Sequence, residues 1–229
     1  MLNRFKPKRV LITGAASGLG KAMVEQFTHL GWKIAIVDIN LLGAQQVADA
    51  ANCQGAEAMA LYCDIGKDED FVTIAQVINK QWGGLDIIIN NAGIATTGMM
   101  VDCTSAQWDR AINLNLNSVF RGCHYWLPLI SQKGPGHVVN TASFAGIAQA
   151  PSMMSYNVSK AGVIALSETL RAELGYRNIG VSVICPAFFK TNLLDSMKFM
   201  GSEIYGVRNL WGHVFLCSSY LFSQRLTVL

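Results

Sequence analysis

Short apolar runs alternate along this chain with longer stretches in which apolar residues return every three or four positions, the marks of buried strands and half-buried helices. Arg9-Val-Leu-Ile-Thr13 reads as a buried strand, Gly14 to Gly20 as a glycine-rich turn, and the residues on to about Leu30 as a helix. Lys33 to Asp38 is a second strand, followed by a helix near Leu41 to Ala51 and a strand over Ala56 to Cys63. A helix near Lys67 to Trp82 leads to Leu85-Asp-Ile-Ile-Ile89, framed by Gly83-Gly84 and by Asn90-Asn-Ala-Gly93. The pattern then predicts one long helix from about Ser105 to Ile130, a break at Gly134-Pro135-Gly136, and a fifth strand over His137 to Thr141. A helix carrying Tyr156 and Lys160 runs to about Tyr176, and Gly180 to Cys185 makes a sixth strand stopped by Pro186. Strands alternating with helices at this spacing predict an α/β fold: a doubly wound, mostly parallel sheet of at least six strands with helices on both faces. No linker, repeat or low-complexity segment interrupts it, so residues 1–229 are expected to form a single domain.

Composition narrows the function classes. Of the 229 residues 51% are apolar and 14% charged, which is enough to bury one core and too ordered a mixture for a disordered chain. Arg4, Lys6, Lys8 and Arg9 contribute to a net charge of +3, but elsewhere the signs are interspersed, and no nucleic-acid footprint results. The apolar run after this basic start is short and is interrupted by Gly14, Ser17, Gly18 and Lys21, unlike a secretory signal. No apolar run approaches the roughly 18–20 residues that span a bilayer, so no membrane partner is expected. Cys53, Cys63, Cys103, Cys123, Cys185 and Cys217 show neither close pairing nor ligand spacing, and the histidines are equally scattered. A soluble, cytoplasmic protein without a structural metal is the expectation.

Candidate chemistry sits in two places. Tyr156 and Lys160 are four apart and share a helix face, where an ammonium beside a phenol would lower its pKa from about 10 and make it a usable acid or base. Ser143 can offer a hydroxyl to the same reacting oxygen; taken alone, the pair is equally readable as an ordinary helix contact. Upstream, Gly14, Gly18 and Gly20 occupy a strand-to-helix turn, where backbone can approach a phosphate and helix N–H groups point at it. Their spacing is three residues and then one, not the common one-then-two arrangement, and such glycines are also found in purely structural bends. Asp38 ends the second strand, where a carboxylate can accept hydrogen bonds from an adenosine ribose and would repel a 2′-phosphate. With no Arg or Lys in the loop or at positions 39 and 40, NAD is expected over NADP, against the plainer reading of a solvated carboxylate.

Together these residues resemble the short-chain dehydrogenases/reductases over about residues 8 to 195. Thr13-Gly14-Ala-Ala-Ser-Gly18-Leu-Gly20 is similar to the family's cofactor loop, Asp64 to its adenine-contacting Asp, and Asn90-Asn-Ala-Gly93 to the motif ending its fourth strand. Asn115, Ser143 and Tyr156-Asn-Val-Ser-Lys160 match its catalytic Asn, Ser and Tyr-x-x-x-Lys. The resemblance implies a Rossmann-type dehydrogenase acting on a CH–OH group, with Tyr156 as acid/base, Ser143 on the reacting oxygen, and Lys160 holding the nicotinamide ribose and lowering the Tyr156 pKa. Asn115, selected by the motif from Asn113, Asn115 and Asn117, would hold a water linking Lys160 to solvent; the other two are read as surface or helix-packing residues. Cofactor contacts are implied at Gly14, Ser17, Gly18, Leu19, Gly20, Asp38, Asp64, Ile65, Asn91, Ala92, Gly93, Tyr156, Lys160, Pro186, Phe189 and Thr191. Ala187 stands where the family usually has Gly after the Pro.

The carboxyl end departs from that pattern. Leu210 to Phe222 reads as an apolar helix, but only Arg225 to Leu229 remain beyond it, with no clear seventh strand and no glycine-rich tail. Since that tail helps to build oligomers in relatives, a homodimer or homotetramer is expected without further definition. The altered end also motivates an alternative function, a nucleotide-binding regulatory protein that has lost turnover. Ile94 to Met99, Phe144 to Ala150 and Phe188 to Met200 are largely apolar, so the expected partner is a largely apolar small-molecule alcohol or ketone.

Overall fold

The computed structural model describes residues 5–6, 8–130, 135–187 and 198–199. Six parallel strands form the main sheet in the order β3-β2-β1-β4-β6-β7. They are β1 (Arg9–Thr13), β2 (Lys33–Asp38), β3 (Glu57–Tyr62), β4 (Ile87–Asn90), β6 (Gly136–Thr141) and β7 (Ile179–Ile184). Helices α1 (Gly18–His29), α2 (Leu41–Cys53) and α3 (Asp68–Trp82) follow the first three strands. A two-residue strand, β5 (Thr96–Thr97), precedes α4 (Ser105–Ile112) and α5 (Ser118–Trp126). A short α6 (Ala145–Ala148) and a long α7 (Met154–Leu174) follow β6. The chain comes back at β8 (Lys198–Phe199), which pairs with β5 apart from the main sheet.

The strands are apolar throughout because both faces are covered. Leu11, Ala35, Val37 and Ile88 pack on one side against Phe71, Ile74 and Ile78 of α3, Trp126 of α5 and Val163 of α7. Val10, Ile12, Ile34, Ile36, Ile87 and Ile89 face the other side, with Val24 of α1 and Ala44, Val47 and Ala48 of α2. Alternation within each strand thus divides one apolar run between two cores. The chain winds outward from β1 to β3, then crosses back to β4 on the other side of β1. That reversal opens a crevice beyond the carboxyl ends of β1 and β4, the usual ligand position in such sheets.

At the opposite end of these two strands, Arg9 is buried and not part of a solvated basic start. Its guanidinium donates Nε and Nη2 to the two Asp86 oxygens at 2.9 and 3.0 Å and Nη1 to the Trp82 carbonyl at 2.9 Å. The Arg9 backbone N–H also meets Asp86 Oδ2 at 2.8 Å, so the charge pair is fully hydrogen-bonded where it is buried.

The predicted helix from Ser105 to Ile130 is broken in register. Asn113–Asn117 form a π-helical turn between α4 and α5, and a 3₁₀ turn over Leu127–Leu129 precedes Ile130. The apolar period runs through this wider turn without a gap, so it leaves no mark in the sequence pattern. Strand boundaries differ from expectation by a residue or two; Leu85, predicted in the fourth strand, makes an isolated bridge to Ile130 before β4 begins. Tyr176, the predicted end of the helix, lies just past Leu174 where α7 stops and is 87% exposed. The apolar tail and the residues from 200 onward, including Tyr205, lie outside the described residues.

Candidate active site

A cavity of about 1510 Å³ opens at the crevice and continues along the carboxyl ends of the strands from Asp38 to Tyr156. The turn after β1 forms one wall, with Gly14, Ser17, Gly18 and Leu19 facing the cavity. Gly14 has φ 64°, and a Cβ there would lie 2.9 Å from Ala92 Cα, so the turn and the loop after β4 can meet only at a glycine. Gly20, expected among the cofactor contacts, does not line the cavity. It is buried under the turn, where a Cβ would collide with the Gly14 carbonyl oxygen and crowd Asn91. Its role is to let the helix pack beneath the loop.

Thr13 ties the two sides of the crevice together: its hydroxyl accepts the Asn91 and Ala92 backbone N–H groups, both at 2.9 Å. Asn91 donates its side-chain amide to the Thr13 carbonyl at 3.0 Å and accepts from the Thr141 hydroxyl at 3.3 Å. Asp38 is held as firmly. Its two oxygens accept the backbone N–H groups of Ala16 and Asn40, each at 2.9 Å, which fixes the carboxylate at the cavity wall next to the glycine turn. Asp64 and Ile65 line the same end; Asp64 accepts from the Gly66 N–H at 2.9 Å and lies 3.7 Å from Lys67 Nζ.

At the other end of the cavity α7 presents Tyr156 and Lys160 on one buried face, with Ser143 facing them from the loop after β6. Burial raises the Tyr156 phenol above its ordinary pKa, and a hydrogen bond with Ser143 draws it back down. Lys160, 4% exposed, donates to the Thr141 carbonyl at 2.8 Å, and its Nζ is 5.8 Å from the Tyr156 ring centroid. Burial pushes Lys160 down to about 8. The expected lowering of the Tyr156 pKa by Lys160 is therefore not what this geometry produces. The ammonium is turned to the Thr141 carbonyl, and burial is the dominant influence on both groups.

Asn115 is fully buried and does not line the cavity. The π turn aims its amide at the loop after β4, where it accepts from the Ile94 N–H at 2.7 Å and donates to the Ile94 carbonyl at 2.9 Å. Its Nδ2 is also 3.3 Å from Ser159 Oγ, and Ser159 in turn donates to the Tyr156 carbonyl at 2.8 Å. Gly93 lies between this amide and Lys160: a Cβ on it would come within 2.8 Å of Asn115 Oδ1 and 3.6 Å of Lys160 Nζ.

Every one of these elements falls within residues 8–199, the span matched by the family model of the short chain dehydrogenases. This chain belongs to that family. Cyclohexanol dehydrogenase from Acinetobacter sp. (strain SE19) is 34% identical over 199 residues, 86% of this chain and 79% of that protein. A short chain dehydrogenase/reductase from Burkholderia phymatum, solved in complex with NAD, superposes with a TM-score of 0.82 at 28% identity, covering 97% of this chain and 82% of that one. A 7α-hydroxysteroid dehydrogenase, solved with NADH and 7-oxo glycochenodeoxycholic acid, gives 0.80 at 31% identity over 85% of this chain and 76% of that one.

For a short-chain dehydrogenase the cavity holds most of what the motifs promise. Asn91, Ala92, Gly93 and Pro186 line it, as does Ala187; Phe189 and Thr191 lie outside the described residues. It also exposes residues that the sequence did not single out. Asn113 and Asn117, expected on the surface or in helix packing, face the cavity together with Leu114, and Asn113 donates to the Gly66 carbonyl at 3.4 Å. Their adjacency to Asn115 was the available signal; the π turn that swings them inward was not legible. Val37 and Cys63 complete the floor beside Asp38 and Asp64, and burial, reinforced by the carboxylates of Asp70, Asp64 and Asp38, pushes the Cys63 thiol up to about 12. Among the described residues no cluster of His, Cys, Asp and Glu could hold a metal, and no helix is long and apolar enough to cross a membrane.

Proposed function

We propose that this short-chain dehydrogenase transfers a hydride between NAD(H) and a largely apolar alcohol or ketone, with Tyr156 as the general acid/base. The observation that carries this reading is the single cavity with a fixed Asp38 carboxylate and glycine turn at one end and Tyr156, Ser143 and Lys160 at the other. An open turn leading into the start of α1, with no side-chain cap on its first N–H groups, suits a pyrophosphate, and the cavity is larger than a typical single-ligand site of about 300–1,000 Å³. NAD would be held by the glycine turn, Asp38, Asp64 and Lys160, and when bound it supplies the hydride acceptor or donor.

The chain's own residues supply the proton chemistry. In reduction the Tyr156 phenol gives its proton to the substrate oxygen; in oxidation the ionised Tyr156 oxygen takes the hydroxyl proton, and since burial raises this phenol, its ionised form would need the positive nicotinamide of bound NAD or an alkaline medium. Ser143 donates to the same substrate oxygen and stabilises the charge that develops there. Lys160 holds the nicotinamide ribose and, at about 8, remains mostly an ammonium at neutral pH. The Asn115 amide is committed to Ile94 and Ser159, so in this reading it sets the position of the loop after β4. Asp38 favours NAD over NADP, since its fixed charge would face a 2′-phosphate. The apolar wall of Ile94, Ala95, Phe144 and Met153 favours a hydrophobic substrate.

Nicotinamide absorbance followed over a panel of secondary alcohols and ketones tests the proposal, with Tyr156→Phe as the control. Turnover that survives unchanged in that variant would sink the assigned mechanism. The regulatory alternative draws its support from the chain end, outside the described residues, while the described catalytic set is assembled.

A further inference from the structure

β5 is a strand of two residues, too short to be held by its own ladder. Thr96 and Thr97 are nevertheless 3% and 2% exposed, and their side chains are fastened to the start of α7. Thr96 Oγ1 and Ser155 Oγ lie 2.9 Å apart; Thr97 Oγ1 donates to the Ser152 carbonyl at 2.9 Å, and the Gly98 N–H donates to the same carbonyl at 2.7 Å. Ser152 has φ 60°, a left-handed conformation that a non-glycine residue keeps only where its surroundings impose it. Tyr156 follows Ser155 directly. On its other edge β5 pairs in parallel with Lys198–Phe199, where the chain returns after the cavity-lining Pro186 and Ala187.

We propose that Thr96 and Thr97 are positioning residues for the substrate half of the site: they lock the first turn of α7, and so the Tyr156 oxygen, to the chain that returns at β8. The role rests on the oxidoreductase reading above. Buried hydroxyls with defined partners fix a geometry that two backbone pairs alone would leave loose, since leaving one unpaired is costly. The glycine turn, Asp38 and Asp64 are held by other bonds, to Asn91, Ala16, Asn40 and Gly66, and Lys160, a turn further along α7, by its own bond to the Thr141 carbonyl, so the clip bears on substrate geometry far more than on cofactor binding.

Thr97→Val keeps the shape of the side chain and removes the donor, while Thr97→Ser keeps the donor. In Thr97→Val, kcat/KM for a ketone is expected to fall about tenfold with the Kd for NADH within about twofold of wild type, and Thr97→Ser to recover most of the loss. Thr96→Val and Ser155→Ala should be non-additive, the double variant losing little more than either single one. Hydrogen exchange gives a readout independent of turnover: in Thr97→Val, amides at 153–157 and 198–199 should exchange faster together, while β1 and β2 keep their protection. Equal losses in NADH binding and kcat/KM, no rescue by Ser, or exchange that speeds up everywhere or nowhere would overturn the proposal. If the wild-type protein turns over no member of the panel, the oxidoreductase reading is what fails, and the exchange pattern alone upholds or overturns the clip.

Discussion

Around Gly14 and Asp38 the cavity wall consists of strand ends whose polar groups are satisfied along their own turn or across the adjoining strand. Around Ser143 and Tyr156 it consists of a loop that bends through two non-glycine residues in left-handed conformations, Gln149 and Ser152, and is fastened by side chains to the following helix and to the loop after β4. Asn157 donates to the Ala150 carbonyl at 2.7 Å, Thr97 to that of Ser152 at 2.9 Å, and Asn115 reaches Ile94 and Ser159 from an inserted π turn. Geometry fixed by the sheet itself, through bonds between neighbouring strand ends and their turns, suits a part that meets the same ligand every time. Geometry fixed by side-chain clips on a loop outside the sheet can be retuned by changing the clips, which suits the part that would meet the variable substrate.

The largest test of this division is Tyr156→Phe, expected to lower kcat by about 10³-fold, within the usual contribution of general acid–base catalysis, while NADH titration shows unchanged binding. Comparable loss of both would mean the halves are not separable. Next in size, Asp38→Ala is expected to weaken NAD binding by about tenfold to a hundredfold and to narrow the preference over NADP, measured as Kd for each. It should leave KM for the alcohol at saturating cofactor nearly unchanged. Asn115→Ala leaves the Ile94 N–H and carbonyl without their partners and should cost about 1–3 kcal/mol in urea unfolding, the price of buried groups left unpaired. The smallest effect is a change of slope. Lys160 is depressed to about 8 from an ordinary 10.5, so between those values the unfolded chain binds a proton that the folded one does not, and stability rises with pH across that window. Melting profiles of Lys160→Met should be flatter there; an unaltered slope would remove burial as the cause.

The same contrast governs how much the sequence discloses. Apolar runs at β1, β2 and β4 and the glycine turn are local signals, and they are enough to predict the parallel sheet and the Asp38 carboxylate at the end of its second strand. Gly20 was visible as a glycine but not as one needed beneath the loop, because its reason is the Gly14 carbonyl above it. On the substrate side the motif identified Asn115, yet the π turn that buries it is invisible, since the inward-facing residues Ala111, Asn115, Ser118, Gly122 and Trp126 keep a three- or four-residue spacing through it. Asn113 and Asn117 were assigned away from the cavity for the same reason. The Tyr156–Lys160 spacing was legible and its electrostatics were not: the Thr141 carbonyl that takes the ammonium and the burial of both groups are tertiary facts.

Strands β1 and β4 are pinned at both ends, by the Thr13 hydroxyl beside the cavity and by the Arg9–Asp86 pair at the far edge. Two beams bolted at each end cannot splay, so the crevice between them has a fixed gauge. In the proposed reaction a bulkier substrate would gain no room from this pair of strands, and the floor against which it is set would stay the same for every substrate.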